Sequence, residues 1–485
     1  MSLAAILCIP LLLTVLSVTV KRSKLTGIIN AAGYAIILLV SLHLAIGITK
    51  GNAPSLPGKF FYIDALSAFF IFVISLINFS SSLYSIGYLA LDLKEGVITE
   101  GKTRAYYALY NLFAFTMFFV TVVNNLGIMW VAIEMTTLVS AFLVGFDNTK
   151  KSIEAAWKYI IICSAGIALA LLGTILLYYT VSRHGHINSL NWTEIMSVAS
   201  ILDPNIIKIS FLFILVGYGT KAGLAPMHTW LPDAHSQALS PISALLSGVL
   251  LKTALYAIIR FTIIANKSLN PAFTQNLFII FGILSLGIAT AFILVQKDIK
   301  RLLAYHSVEH VGIISIGLGF AGFFGIYGAI FHVLNHAVTK SLMFLSAGIV
   351  GKNYKTNNMH VIKGIIATMP FTGVILLLGA FALAGSPPFS IFFSEMMILV
   401  SGFQQGYYLS GILFLLFIGI IFAAITYHFS RIIFGNKPQT ITAVHEPTSI
   451  KITLALSLAV ILALGIAIPS FLNQLIMKVV EIIKG

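Results

Sequence analysis

Five ionisable side chains stand within segments that are otherwise apolar enough to span a lipid bilayer. Three are lysines, Lys221, Lys252 and Lys340, and two are glutamates, Glu134 and Glu395. A charge near the centre of a bilayer costs about 2.5 to 3.5 kcal/mol on insertion scales, so such residues usually face the protein interior and line an ion or proton path. Because a buried lysine can release its proton whereas arginine keeps its own, three lysines favour proton transfer over fixed ion pairing.

Glu134 lies near the middle of the segment GIMWVAIEMTTLVSAFLVGF. We expect it to pair with Lys221, the alternative being a structural carboxylate held by a neighbouring helix. An opposite charge favours the ionised forms of both groups, and removal from water favours the neutral forms. A small change in separation would therefore switch the protonation of such a pair.

The stretch FHVLNHAVTKSLMFL places His332, His336 and Lys340 four residues apart, hence along one helix face. Two histidines at this spacing could hold a metal, but the nearby sequence offers no third ligand, so we expect none. A structural hydrogen-bonding role is the other alternative. We favour a hydrated relay into Lys340, because neutral histidine both donates and accepts protons.

The stretch AYHSVEHVG opens the tenth apolar segment. His310 lies deepest in it and is the better relay candidate, and an interfacial position is the alternative for His306 or Glu309. The polar residues between 228 and 237 are expected to make capping and loop hydrogen bonds.

Prolines interrupt two apolar segments. Pro226 and Pro232 follow Lys221, and Pro387 and Pro388 precede Glu395. Broken helices lie beside polar cavities in transporters, because the freed backbone groups must be satisfied inside protein or water. The two breaks are five segments apart, and this odd offset predicts that the second unit is inverted relative to the first.

Composition indicates a polytopic membrane protein, since 59% of the 485 residues are hydrophobic and 9% are charged. The net charge of +14 is scattered between apolar segments, which argues against nucleic-acid binding. Cys8 and Cys163 have no metal-ligand spacing, and no nucleotide-binding motif is present. We therefore predict no cofactor and no redox centre in this chain.

Spans of about 20 apolar residues predict an all-α protein with about fourteen transmembrane helices, including broken helices and two inverted five-helix repeats. The last predicted span covers residues 450–478. The predicted organisation is N-terminal helices 1–3 in residues 1–104, a first repeat of helices 4–8 in 105–266, an inverted repeat of helices 9–13 in 267–431, and helix 14 in 432–485.

Basic residues in the loops predict the orientation. Eighteen of the 29 lysines and arginines fall in loops on one side and eight, among them Arg260, on the other. The positive-inside rule then places both termini on the outer side of the cell membrane, with the first segment kept as an uncleaved helix.

Five stretches of this sequence together resemble a known family, the antiporter-like membrane subunits of respiratory complex I, Mrp-type sodium/proton antiporters and membrane-bound hydrogenases. They are WVAIEMTTL, KAGLAPMHTWLPDAHSQALSPISALLSGVLLKTALYAIIR, LLAYHSVEHVGIISIG, FHVLNHAVTKSLMFLSAG and LAGSPPFSIFFSEMMIL. The resemblance covers most of the chain.

The resemblance implies a proton path along the membrane midplane that starts from an ion pair of Glu134 with Lys221 and ends at Glu395. Glutamate at 395 is similar to the M-type complex I subunit and the D-type Mrp subunit, whereas Lys340 has the character of the L-type subunit. This mixture favours a hydrogenase or sulfur-reductase relative. The implied path residues are Glu134, Lys221, Lys252, His310, Lys340 and Glu395, with His332 and His336 beside them.

The resemblance also implies partners, namely other membrane subunits and soluble iron–sulfur subunits that carry out the redox chemistry. Three alternatives remain open: a subunit of an Mrp-type sodium/proton antiporter, a stand-alone secondary transporter of a solute, and a non-conducting scaffold.

Overall fold

The computed structural model describes residues 2–52, 58–184, 187–438, 441 and 446–484. Apart from isolated bridges, the regular structure in these ranges is helical. The helices are α1 (Ser2–Thr19), α2 (Ser23–Thr49), α3 (Ala65–Lys94), α4 (Glu100–Val122), α5 (Leu126–Val144), α6 (Lys150–His184), α7 (Trp192–Val198), α8 (Pro204–Ala222), α9 (Leu231–Gln237), α10 (Ser240–Leu245), α11 (Leu251–Ser268), α12 (Ala272–Val295), α13 (Ile299–Phe320), α14 (Gly322–Tyr354), α15 (Ile365–Thr368), α16 (Pro370–Leu383), α17 (Ser390–Gln404), α18 (Tyr408–Phe434), α19 (Thr448–Ile466) and α20 (Ser470–Lys484).

The prediction of a polytopic all-α membrane protein is confirmed. Twelve helical stretches of the described chain are long and apolar enough to cross a membrane. Helix α13 has the length of a further span, and His306, Glu309 and His310 lower its hydropathy. The two shorter apolar helices α16 and α17 follow one another in the position of a further predicted span. Each of the predicted segments therefore has a helical counterpart.

The last predicted span is wrong in its extent. Helix α19 ends at Ile466, and a new helix, α20, begins after Pro469. Helix α20 buries one apolar face, which includes Leu472 and Ile476, and Lys478 Nζ donates to Ile48 O at 2.8 Å. Helix α20 thus packs against the end of α2. It is separate from α19 because proline interrupts the helix although the sequence remains apolar.

The predicted break after Lys221 is present. Helix α8 ends at Ala222 and is followed by Gly223, whose φ of 86° lies in the left-handed region that glycine adopts without steric cost. A 3₁₀ turn, Met227–Trp230, then leads into α9. Trp230 Nε1 donates to Thr220 O at 2.8 Å, so the indole satisfies a carbonyl near the end of α8.

The second break separates α16 from α17. Helix α16 ends at Leu383, Gly385 has a φ of 72°, and α17 begins at Ser390. Glu395 therefore lies in the second turn of the new helix, close to the interruption. Both halves are too short to cross a bilayer alone, and together they place irregular backbone at membrane depth.

Arg260 was predicted in a loop, and this is wrong. It lies on α11, is 2% exposed, and makes a bidentate ion pair with Asp64, with Nη1–Oδ2 and Nη2–Oδ1 distances of 2.7 and 2.6 Å. Asp64 also caps α3 by accepting from Ser67 N at 2.9 Å. Removing one partner of a buried pair costs about 3 to 5 kcal/mol, so this contact ties α3 to α11.

Two helical stretches form the centre of the bundle. The apolar windows of Ser240–Ser268 and Gly322–Tyr354 are entirely buried inside the protein. Helix α13 is also buried over almost its whole length. The helices that carry Lys252, His310 and Lys340 are therefore shielded from lipid by the surrounding spans, which lowers the cost of placing polar groups there.

Candidate functional site

Lys252 lies at the start of α11, directly after a π-helical turn, Leu246–Leu250. Its Nζ is 2.5 Å from Ser247 O, to which it donates, and 2.5 Å from His336 Nδ1 on α14. Single π turns within helices occur frequently at functional sites. Here the turn brings the Ser247 carbonyl and the Lys252 ammonium together and directs the lysine toward a histidine.

A run of imidazoles continues from His336. The rings of His336 and His310 have centroids 4.6 Å apart, and His310 Nδ1 lies 2.9 Å from His332 Nε2. His332 Nδ1 is in turn 2.9 Å from Ser394 Oγ on α17. All three histidines are fully buried. Neutral imidazole accepts a proton at one nitrogen and donates from the other, so neighbouring rings can pass a proton on.

Glu395 stands at the far end of this run. One ring nitrogen each of His310 and His332 and one carboxylate oxygen of Glu395 all lie within 4.8 Å of one another. Glu395 is 7% exposed. We call Lys252, His336, His310, His332 and Glu395 the histidine row. It joins Lys252 on α11 to Glu395 on α17, the second half of an interrupted helix, and it lies inside the bundle.

Lys340 lies beside the histidine row, not within it. Its Nζ donates to Leu303 O at 2.6 Å and lies 6.0 Å from the centroid of the Phe344 ring. The expected order, in which His310 passes its proton through Lys340 to Glu395, is therefore not the order of contacts. His332, placed on the same face of α14 by its spacing, takes the position between His310 and Glu395.

Lys221 lies in a separate polar cluster at the end of α8. It is fully buried, and its Nζ donates to Thr137 Oγ1 at 2.7 Å and to Tyr159 OH at 2.6 Å. Tyr159 OH also lies 2.8 Å from Ser140 Oγ. Two hydroxyl groups thus hold the ammonium where a carboxylate was expected.

The predicted ion pair of Glu134 with Lys221 is not formed among the described residues. Glu134 is half-buried on α5, and its Oε1 accepts from Ser164 Oγ at 2.6 Å. The Lys221 ammonium lies over the Tyr159 ring, 4.7 Å from the centroid. The hydroxyl groups of Thr137 on α5 and Tyr159 on α6 thus solvate the lysine without a second buried charge beside it.

Two further potential metal ligands lie close to His332, which the spacing of His332 and His336 did not indicate. No third ligand follows these histidines along the chain, but His310 and Glu395 reach His332 in space. Two imidazoles and a carboxylate are a ligand set that zinc accepts. The same three groups can also exchange protons.

Three buried residues near these clusters are absent from the predicted path. Tyr159 is fully buried and carried no signal, since tyrosines are common in membrane spans. His306 and Glu309 are 0% and 3% exposed, so both lie inside the bundle. Glu309 carried the same signal as Glu134, a carboxylate within an apolar segment, but its position near the start of that segment was misleading.

Gly385 provides a test of the Glu395 position. A Cβ at residue 385 would collide with the Glu395 carboxylate, and the φ of 72° is unfavourable for other residues. We expect Gly385→Ala to displace Glu395 and to lower proton transport by about 10- to 100-fold, as small misplacements of reacting groups do. Gly406→Ala is the matched control, because Gly406 has a φ of 81° and no described atom lies within 4 Å of an added Cβ. Equal transport by the two variants in proteoliposomes would contradict the assignment.

Comparison with known sequences identifies the class of protein. The family described as NADH:quinone oxidoreductase/Mrp antiporter, transmembrane, matches residues 123–426, and the family of the complex I chain 5 N-terminus matches residues 60–95. The first match covers more than half of the chain. This chain therefore belongs to the family of antiporter-like membrane subunits, as the resemblance predicted.

Individual relatives agree with this assignment. The chain is 37% identical over 407 residues to a hydrogenase-4 component F homolog of Methylacidiphilum infernorum, covering 84% of each chain. It is 29% identical over 430 residues to NADH-ubiquinone oxidoreductase chain 4 of Chondrus crispus, covering 87% of this chain and 82% of that one. A component of an archaeal membrane-bound sulfane sulfur reductase has the same fold, with a TM-score of 0.88 and 24% identity over 99% of this chain and 97% of that one.

Proposed function

We propose that this chain translocates protons as an antiporter-like subunit of a redox-driven membrane complex related to complex I, of the membrane-bound hydrogenase or sulfur-reductase type. The observation that carries this proposal is the histidine row, a buried series of exchangeable groups from Lys252 to Glu395. Burial of so many ionisable groups is costly, and in membrane proteins such groups usually mark ion paths.

The proposed cycle begins at Lys221. A movement of a neighbouring subunit changes the distance from Glu134 to Lys221 and thereby the proton affinity of the lysine. Moving one charge against 100 mV costs about 2.3 kcal/mol, and a hundredfold change in proton affinity is worth about 2.7 kcal/mol. One such change therefore suffices for one proton. The proton then enters the histidine row at Lys252 and leaves it at Glu395.

The domain organisation fits two half-channels joined at the midplane. We assign residues 105–266 and 267–431 as the two inverted units, with 1–104 and 432–485 flanking them. One interrupted helix falls in each unit, at α8–α9 and at α16–α17. The histidine row runs from the first unit to the second.

We further propose that both termini lie on the outer side of the cell membrane. Two observations support this. The burial and pairing of Arg260 remove one cation from the side assigned as outer, which increases the charge bias. In addition, Lys478 of α20 contacts Ile48 at the end of α2. Because α1 and α2 are consecutive spans, α2 ends on the side where α1 begins, and this contact supports a common side for both termini.

The proposed partners are other membrane subunits and soluble iron–sulfur subunits. The hydrogenase-4 relative and the sulfane sulfur reductase component support this choice, the second because its complex is described as a respiratory membrane complex. Electron transfer would then take place in the partners, and this chain would use the released energy.

Purification from native membranes in mild detergent tests the proposal, with mass spectrometry of the partners and donor-driven proton uptake in proteoliposomes. We expect iron–sulfur subunits and proton uptake that does not require sodium. Small membrane partners with sodium-dependent exchange would instead establish an Mrp-type antiporter. Active transport by the chain alone would establish a stand-alone transporter and overturn the proposal.

A further inference from the structure

Glu309 and His306 form a second buried acid–base pair beside the histidine row. His306 Nδ1 lies 2.5 Å from Glu309 Oε2, and the two side chains are 0% and 3% exposed. Donor atoms of His306, Glu309 and His310 lie within 4.8 Å of one another. His310 therefore lies beside this pair and is also a member of the histidine row.

Lys340 on α14 contacts the helix that carries this pair, α13. The Lys340 ammonium is bound to Leu303 O. Because residues three and four apart are neighbours on a helix, His306 lies one turn further along α13 and Glu309 and His310 one turn beyond. The charge of Glu309 acts electrostatically on both Lys340 and Glu395. Glu309 is thus near enough to interact with the lysine that the histidine row bypasses and with the glutamate that ends the row.

A purely structural explanation of this pair is weak. His306 Nε2 has no hydrogen-bond partner among the described residues, and Glu309 Oε2 makes no well-aligned hydrogen bond with them. Buried polar groups are nearly always hydrogen-bonded, and an incompletely satisfied buried ion pair is often less stable than apolar residues of similar size. Exchangeable groups with spare donor and acceptor sites are, by contrast, what a proton relay requires.

We propose that Glu309, supported by His306, is a proton-holding site that connects Lys340 to the histidine row. This inference rests on the proposed function. In the transfer step a Lys340 N–H bond breaks and an O–H bond forms on the Glu309 carboxylate, leaving a neutral amine and a neutral acid. The Glu309 O–H then breaks as a nitrogen of His310 takes up the proton, and the charge continues through His332 to Glu395. Lys340 regains a proton from the half-channel.

Charge-neutral substitution of Glu309 in the intact complex tests the inference. We expect Glu309→Gln to lower donor-driven proton uptake at least about 10-fold, because the amide keeps the size of the side chain but cannot carry the proton. Glu309→Asp should restore part of the rate. Glu446→Gln is the matched control, because Glu446 is equally buried, 3% exposed, and is not part of the histidine row. Its carboxylate accepts from Thr372 N at 3.3 Å. It should transport like the unmodified complex.

Two further measurements separate the possible outcomes. Lys252→Ala is assayed in parallel: loss of transport in Lys252→Ala with normal transport in Glu309→Gln would overturn the inference and leave the proposed function standing. Normal transport in both variants would overturn both. Infrared difference spectra between the resting and the energised complex should contain a carboxyl band that is absent in Glu309→Gln, and an unchanged spectrum would contradict proton uptake by Glu309.

Discussion

Replacement of Lys221 with alanine is expected to lower proton translocation by at least about 100-fold while the complex still assembles. Lys221 is the buried cation of the first interrupted helix, and its ammonium donates to Thr137 and Tyr159. Lys221→Arg should be nearly as inactive, because arginine keeps the charge but does not release its proton. Proton uptake by reconstituted complex, started with the electron donor, measures both variants.

The matched control for Lys221 is Lys208, an exposed lysine on the same helix. Lys208→Ala should transport at the normal rate. If Lys221→Arg retained full transport, a fixed positive charge would be sufficient at this position, and proton release by Lys221 would be excluded.

Replacement of His332 with alanine is the second large effect we expect. The substitution removes the ring between His310 and Ser394 and leaves a gap in the histidine row. Because the imidazole at this point both accepts and donates a proton and the alanine methyl group does neither, we expect transport to fall by about 100-fold or more. Donor-driven acidification or alkalinisation inside vesicles measures the rate.

A histidine outside the row serves as the control for His332. His428 is partly buried on α18, and its Nε2 lies 3.2 Å from Ile293 O. His428→Gln should keep normal transport. Normal transport in His332→Ala would show that Lys340 or water carries the proton past this position, and the order of the row would have to be revised.

Much of the architecture was predictable because it depends on local chemistry. Apolar segments of membrane length, prolines after Lys221 and before Glu395, and lysines within spans are all visible without any tertiary contact. The spacing of His332 and His336 also gave their common helix face, and their ring centroids lie 6.4 Å apart. These features determined which helices had to face the interior.

The contacts between helices were not predictable in the same way. His310 and His332 are on different helices, and only packing decides that they meet at 2.9 Å while Lys340 turns toward Leu303. Helix packing likewise decides that Lys221 donates to Tyr159 and does not pair with Glu134. A single sequence gives the face of each helix but not the rotation and depth at which two faces meet.

The extent of the last span was mispredicted for a different reason. Residues 450–478 read as one continuous apolar span, and the amphipathic character of α20 becomes clear only when its own helical period is considered separately from α19. Pro469 was the local signal for this division.

The pairing of Arg260 with Asp64 has a consequence for how the chain is made. The two residues are 196 positions apart, and at about 5 to 20 residues per second synthesis of the intervening chain takes roughly 10 to 40 s. During that time Asp64 and α3 are already in the membrane without their buried partner. Helix α3 must therefore stay accessible beside the insertion site until α11 arrives, so the centre of the bundle closes late in biogenesis.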